Sequence, residues 1–367
     1  MTDTSVAYQC PNCGGPLEFA PGSAKIVCPY CDTELDVATM EALFARKQER
    51  AAAAQEAKEI RWNTGEAGRE WGSEEAAQLK AFTCSTCGAE IVSDENTMAT
   101  ECCYCGNPTM LPNRFEGMLK PDFVIPFKKT KEEAVAALKE FYKGKRLLPA
   151  AFTANNRVEA IQPMYVPFWL FDSAVYADGE FKGEEDTVFE TSDEIVTETR
   201  VFQCLRSGRM TFHKIPVDGS SKMDDTYMES IEPFNYEEMV PFSPAYLTGF
   251  LADKYDVDAE ASVPRADERV NRSALEVLQG TVTGYDRCSL QDSYIQKEDD
   301  HVAYALAPVW ILTTRYQDKP YTFIMNGQTG KMVGTLPYDN QKSLLYMGAV
   351  TAILTPALYF VAKLFLT

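Results

Sequence analysis

Cys10-Pro-Asn-Cys13 and Cys28-Pro-Tyr-Cys31 recur as Cys84-Ser-Thr-Cys87 and Cys102-Cys103-Tyr-Cys105, every cysteine displaced by 74 residues. A two-residue gap lets one tight turn aim both sulfurs at a single ion, and two such turns on neighbouring hairpins complete a tetrahedron. Eight positions reproduced together argue against chance or disulfide pairing. Fourteen residues separate the two turns in each copy, one short of the usual spacing of about fifteen to twenty. Gly14, Gly88 and Gly106 directly follow a turn's second cysteine, where the backbone tends to need positive φ, and Asp32 fills the fourth such place. Cys103 is spare.

Cys10, Cys13, Cys28, Cys31, Cys84, Cys87, Cys102 and Cys105 are therefore the expected metal ligands. Four soft thiolates in a closed shell suit Zn²⁺, with rubredoxin-like iron as the alternative. Two structural ions are expected, because a closed shell leaves no position for water or substrate. A ribbon of about 25 residues is too small to fold without its metal. Cys204 and Cys288 stand alone and read as core thiols. His213 and His301 are the only histidines, which leaves little for acid–base catalysis at neutral pH. No catalytic residues are assigned, and the chain is not expected to be an enzyme.

Charge bears on what such ribbons bind. The 367 residues carry 35 Lys plus Arg against 54 Asp plus Glu, a net charge of −19. Residues 1–111 alone hold eight basic against 17 acidic side chains. Phosphate backbones are bound by clustered Lys and Arg, and the cysteine turns have almost none nearby beyond Lys25, so nucleic acid is an unlikely partner. Asn12, Tyr30, Ser85, Thr86 and Tyr104 offer neutral contacts suited to protein partners. The first residues, MTDTSVAYQ, lack the basic and apolar regions of a secretory signal, which places the thiols in a reducing cytoplasm.

The expected fold class is α+β: zinc ribbon 1 (1–39), a helical spacer (40–79), zinc ribbon 2 (80–111), an α+β domain (118–340) and a transmembrane helix (344–366). Residues 40–60 are rich in Ala, Glu, Lys and Arg without Gly or Pro, which favours helix. Thr130 to Glu133 has capping-box spacing and opens a second helix, with Ala134, Leu138, Phe141 and Tyr142 on one face. A third helix is expected over 264–279, with Pro at its first turn and Gly280 as its stop. Residues 165–170 (YVPFWL) and 306–311 (LAPVWI) look alike, each with a Pro-Phe pair upstream, Pro126-Phe127 and Pro241-Phe242. They mark either an internal duplication or two unrelated strands of one core. Residues 344–362 are nineteen without a charge, spanning roughly 28 Å at about 1.5 Å per residue, close to the bilayer's hydrocarbon thickness. A single-pass cell-membrane protein with its bulk in the cytoplasm is therefore expected, Lys363 snorkelling at one end.

Other signals resolve into ordinary structure. Residues 326–331 (NGQTGK) glance at a phosphate loop, but Met325 and Met332 stand where a Walker A sequence needs Gly and Ser or Thr. A hairpin turn between residues 321–325 and 331–333 explains them better. Residues 218–225 (DGSSKMDD) read as a solvated turn, with an ion or partner site as the alternative. Asp253, Asp256, Asp258 and Glu260 lack the Gly and terminal Glu of a calcium loop.

The units CPNCGG…CPYCD and CSTCGAEIV…CYCGNP resemble the TFIIB-type zinc-ribbon proteins of bacteria. With LKPDFVIPFK, YVPFWLFD, PVDGSSKMDD, PFSPAYLTGFLADKYDVDAE and MNGQTGKMVG, nearly the whole chain is similar to double-ribbon proteins with a C-terminal membrane anchor. Members are often labelled replication-restart (primosomal) helicases, a label that the missing Walker A motif and the lack of room for motor domains do not support. The resemblance implies an adaptor or scaffold for protein partners at the inner membrane face, in membrane-stress or envelope maintenance. A nucleic-acid-binding ribbon protein is the first alternative and an enzyme using the α+β domain the second.

Overall fold

The structure, a computed structural model, describes the chain outside residues 1–9, 14, 21–24, 57–61, 95, 98–100, 114, 116, 156–157, 191–193, 318 and 367. The chain forms two compact units. The smaller comprises Met1–Ile60, Tyr176–Gly208 and Leu278–Gln296, and the larger Arg61–Val175, Arg209–Val277 and Lys297–Thr367.

In the smaller unit β1 (Glu18–Phe19), β2 (Lys25–Val27) and β3 (Glu34–Asp36) make an antiparallel sheet of their own. Helix α1 (Val37–Glu56) follows without a break. Asp36 starts it, accepting bonds from the amide and the hydroxyl of Thr39 at 2.7 Å each. The helix is not wholly solvated, since Met40 is buried and Arg46 pairs at 2.6 Å with buried Asp178.

The larger unit opens with α2 (Ser73–Ala76), β4 (Leu79–Cys84), β5 (Glu90–Asp94), β6 (Met110–Asn113) and β7 (Phe123–Val124). Then come α3 (Lys131–Tyr142), α4 (Ala150–Asn155) and the long strands β8 (Gln162–Glu190) and β9 (Ile195–Asp218), whose residues 176–190 and 195–208 belong to the smaller unit. After α5 (Asp225–Ile231), β10 (Val240–Pro241) and β11 (Leu251–Asp253), helix α6 (Ala259–Gly280) leads into β12 (Arg287–Tyr316). The chain closes with β13 (Lys319–Asn326), β14 (Met332–Gly334) and α7 (Asn340–Leu366). Eleven strands join one sheet, with the path β10-β7-β12-β8-β11-β5-β4-β6. The full capping box at Thr130 and Glu133 sets the start of α3, while Ala134 and Leu138 are buried. Helix α6 starts five residues before Pro264, because the Asp258 carboxylate accepts from the amide of Ala261 at 2.8 Å. Pro264 is thus carried inside the helix.

The larger unit contains two halves of the same plan. In each, a short strand leads to a capped helix and then to a long strand with a hairpin partner: β7-α3-β8-β9 and β11-α6-β12-β13. The short strands are exchanged, β11 lying parallel to β8 and β7 parallel to β12. The registers coincide: Ala252 opposes Tyr165 as Val124 opposes Leu306. Trp169 Nε1 donates to the Val257 carbonyl at 2.9 Å, and Trp310 Nε1 donates to the Lys129 carbonyl at 3.0 Å. The Gly219 amide bonds the Pro167 carbonyl, and its own carbonyl accepts from Asp256 and Val257; Gly327 does the same with Pro308, Lys128 and Lys129. A Cβ at Gly219 would meet Trp169 Nε1 at 3.0 Å, and one at Gly327 would meet the Phe127 ring at 2.7 Å, so both places require glycine. These contacts equate Phe127 with Tyr255, not with Phe242. Pro241 instead pairs across to Phe123 in β10 and β7.

Two expectations are corrected. The body is mixed α/β, not α+β, because α3 and α6 each follow a short strand that pairs in parallel with a long one. The expected transmembrane helix at 344–366, and with it the single-pass membrane location, does not stand: among the described residues no helix is long and apolar enough to cross a membrane. Helix α7 forms, and its base is tied to the body by Asp339 and Lys342, which donate to the carbonyls of Leu147 and Leu148. Side chains 357, 359–362 and 364–367 lie outside the described residues.

Because Trp169 and Trp310 make the same buried bond, Trp169→Phe and Trp310→Phe should each lower stability by about 1–3 kcal/mol. Gly327→Ala should cost at least as much. Urea unfolding followed by far-ultraviolet circular dichroism measures all three, and an unchanged midpoint for either tryptophan variant would show that the clamp is not structural.

Candidate metal centres

All four cysteine turns share one backbone bond, and three of them show a second. The first cysteine's amide donates to the carbonyl five residues on: Cys10 to Gly15, Cys28 to Thr33, Cys84 to Ala89 and Cys102 to Asn107, at 2.7–2.9 Å. The residue four places on donates back to that cysteine's carbonyl, as seen at Asp32, Gly88 and Gly106. Closing the turn this way needs the left-handed region, and these three residues have φ of 56°, 70° and 68°. Gly14, the fourth expected position, lies outside the described residues.

The turns bring Cys10, Cys13, Cys28 and Cys31 together, and likewise Cys84, Cys87, Cys102 and Cys105, with all four sulfurs of each set within 4.8 Å of one another. The shortest S···S separations are 3.4 and 3.6 Å in the first set and 3.6 Å twice in the second. A tetrahedron with Zn–S bonds of about 2.3 Å has edges of about 3.8 Å, whereas a disulfide needs about 2.05 Å. All eight cysteines are free thiols, so the donor sets fit a four-coordinate metal ion. The hydroxyl and amide of Thr33 pull the Cys31 thiol down to about 6. Burial opposes ionisation at Cys84, but the amides of Cys87 and Thr86 outweigh it and bring that thiol to about 6 as well. Asn107 Nδ2 adds a longer contact, 3.8 Å from the Cys84 sulfur.

The two centres differ in setting. The first sits on its own small sheet, with Cys13 exposed. The second belongs to the large sheet, where β4, β5 and β6 carry it and β5 pairs with β11, Val92 opposite Ala252 and Ile91 opposite Asp253. Its second turn is held by β12, with Thr313 Oγ1 donating to the Cys103 carbonyl at 2.7 Å. Cys103 itself is buried against Met164, 3.4 Å between sulfurs. Tyr104 is likewise turned into the core and is not a display residue.

The remaining sequence motifs fall as follows. Residues 326–331 form the expected hairpin turn, β13 pairing with β14 and Gly330 at φ 84°. Residues 218–225 are only half solvated: Ser221, Lys222, Asp224 and Asp225 are exposed, while Asp218, Ser220 and Met223 are buried, clamped with Gly219 against the start of α6. Asp253, read only as part of a failed calcium loop, is buried in β11. The signal that would have found this loop is the pairing of Asp218-Gly219 with Asn326-Gly327 as the same corner of two halves. His213 is largely exposed, 3.9 Å from Asp172, and His301 is exposed.

Fold and sites together define a mixed α/β protein with two tetracysteine centres, one on a separate small sheet and one within the main sheet. The chain belongs to the same family as the uncharacterized protein YdjG of Bacillus subtilis (strain 168), to which it is 32% identical over 347 residues, 94% of each chain. No family model and no solved structure matches it.

Replacing Cys84 and Cys87 together by Ser should lower the thermal midpoint of the larger unit, because the second centre fastens strands of its sheet. Replacing Cys10 and Cys13 should remove one metal ion per chain and leave that transition in place. Calorimetry with elemental analysis by mass spectrometry checks both, and equal effects of the two double variants would refute the difference in setting.

Proposed function

We propose that this chain is a protein-docking scaffold in which each tetracysteine centre holds a structural Zn²⁺ in a TFIIB-type ribbon. The carrying observation is the surface of the smaller unit. Phe19, Tyr30, Val188, Phe189, Ile195, Val201, Phe202 and Leu290 all leave large apolar side chains exposed there. Exposed apolar groups on an acidic protein suit a protein partner better than a polyanion.

The nucleic-acid alternative lacks a comparable observation. Lys25, the cation nearest the first centre's turns, is paired with Glu34. Tyr30, Ser85 and Thr86 are exposed at the turns and carry no charge. A binder that neutralises several phosphates needs free cations at these positions.

Photo-crosslinking in cells, with a benzophenone amino acid at Phe19, Tyr30 or Phe202, should trap a discrete protein partner that the same probe at Val277 in α6 does not. Phe202→Asp combined with Tyr30→Asp should abolish that adduct without changing zinc content. A salt-sensitive electrophoretic shift of DNA or RNA, lost in Lys25→Ala, would overturn the reading.

A further inference from the structure

Strand β9 lies at the side of the sheet, and among the described residues it pairs with β8 alone. An open strand edge presents a row of N–H and C=O groups to any other chain, and natural sheets blunt such edges with short strands, prolines or charges. Other terminal strands of this sheet are blunted in that way: β10 has two residues and ends in Pro241, β6 has four with Pro112 among them, and β14 has three. Strand β9 is long and has no such device in its outer part.

That outer part, residues 195–203 (IVTETRVFQ), lies within the smaller unit and contains no Pro or Gly. Ile195, Val196, Thr197, Thr199 and Val201 are β-branched, which suits a strand. All nine residues are exposed except half-buried Val196, so the stretch is solvated on both faces. Thr199 and Gln203 bond Asp186 and Glu180 on one face, and on the other the Phe202 ring lies 5.3 Å from that of Tyr285. Glu198 and Arg200 cancel, so the stretch is neutral within a chain of net charge −19. Copies of so acidic a protein repel one another, and here that repulsion is locally absent.

A closed pair of identical chains has a two-fold axis, and two strand edges meeting across such an axis run antiparallel. Set antiparallel to itself about Thr199, IVTETRVFQ is self-complementary. Glu198 falls opposite Arg200 of the second copy, and Arg200 opposite its Glu198. On the same face Val196 meets Phe202, and on the other face Thr197 meets Val201. Opposite charges and β-branched or aromatic residues directly across an antiparallel pair are the combinations that stabilise it. In the single chain Glu198 and Arg200 pair with each other at 3.3 Å, both largely exposed, an arrangement that contributes little.

We propose that the outer part of β9 pairs edge to edge with the same stretch of a second copy of this chain, the two sheets joining about a two-fold axis at Thr199. The proposal rests on the docking reading of the smaller unit's surface, of which Ile195, Val201 and Phe202 are part, and names one partner for it.

In analytical ultracentrifugation the zinc-loaded full-length chain should sediment as a dimer in reversible equilibrium with monomer. Thr199→Cys, on the axis, should give an intermolecular disulfide under mild oxidation, read on a non-reducing gel. Thr197→Cys and Val201→Cys should not, because each would stand four residues, roughly 13 Å, from its own copy. Glu198→Arg and Arg200→Glu should each weaken the dimer about tenfold by setting like charges opposite one another, and an equimolar mixture of the two variants should restore it. That recovery separates a broken contact from a misfolded chain. A chain that stays monomeric, a dimer indifferent to both charge variants, or linkage at 197 or 201 as ready as at 199 would overturn self-pairing. The docking reading would survive any of these results if the probe at Phe202 trapped a different protein, and would fall too if no partner were trapped.

Discussion

The architecture of the larger unit depends on one constraint: two long central strands, β8 and β12, must have their backbone groups paired along both edges while buried. Each half solves this for the other. The short strand of one half closes the edge of the long strand of the other, and the loop after each hairpin turns back to donate to the long strand's proline carbonyl, Gly219 to Pro167 and Gly327 to Pro308. Proline has no amide of its own, so at these places only the carbonyl side needs a partner, and the glycine amide supplies it. The buried indoles of Trp169 and Trp310 then lock the helix entrances by bonding the carbonyls of Val257 and Lys129. Neither half can be complete alone.

The second metal centre enters this arrangement as an extension of the same sheet. Through β5 it covers the outer edge of β11, and through Thr313 it is held to β12. Ion binding there reinforces strands that the exchange already positions. The first centre sits on three short strands that pair only with one another, so a metal ion held by its thiolates would supply much of its local order. Two copies of one motif thus sit in different mechanical settings, although their described turns share the same backbone bonds.

How much of this was legible in the sequence follows from how local each determinant is. The cysteine turns, the Thr130 cap and the hairpin at 326–331 are set within six residues, and spacing alone displays them. The start of α6 was misplaced because Pro264 looks like a first-turn residue, whereas the side chain of Asp258 sets the true start. The duplication left only a weak trace, a proline two residues before a tryptophan in each half, because what the halves share is backbone pairing. Backbone pairing tolerates wide side-chain change, and so Phe127 and Tyr255 were not matched. Residues 218–225 were misread since a run of Asp, Ser and Gly looks solvated, and only the exchanged strand and helix that pack on it bury it. At the C-terminus, an uncharged run matched the bilayer in length as a string of letters, while among the described residues no helix is long and apolar enough to cross a membrane.

The two corners differ in what they bury, and buried charge is costly wherever an apolar residue serves. The Gly219 corner has kept or acquired Asp253, Asp218 and Arg265 where the other has Ile125, Asn326 and Ala137. Asp218 and Arg265 compensate each other at 2.9 Å, and burial still holds the Asp218 carboxyl up at about 6. At Asp253 burial likewise pushes the carboxyl up, to about 7, while the hydroxyls of Ser220 and Tyr104 and the charge of Lys222 pull against it.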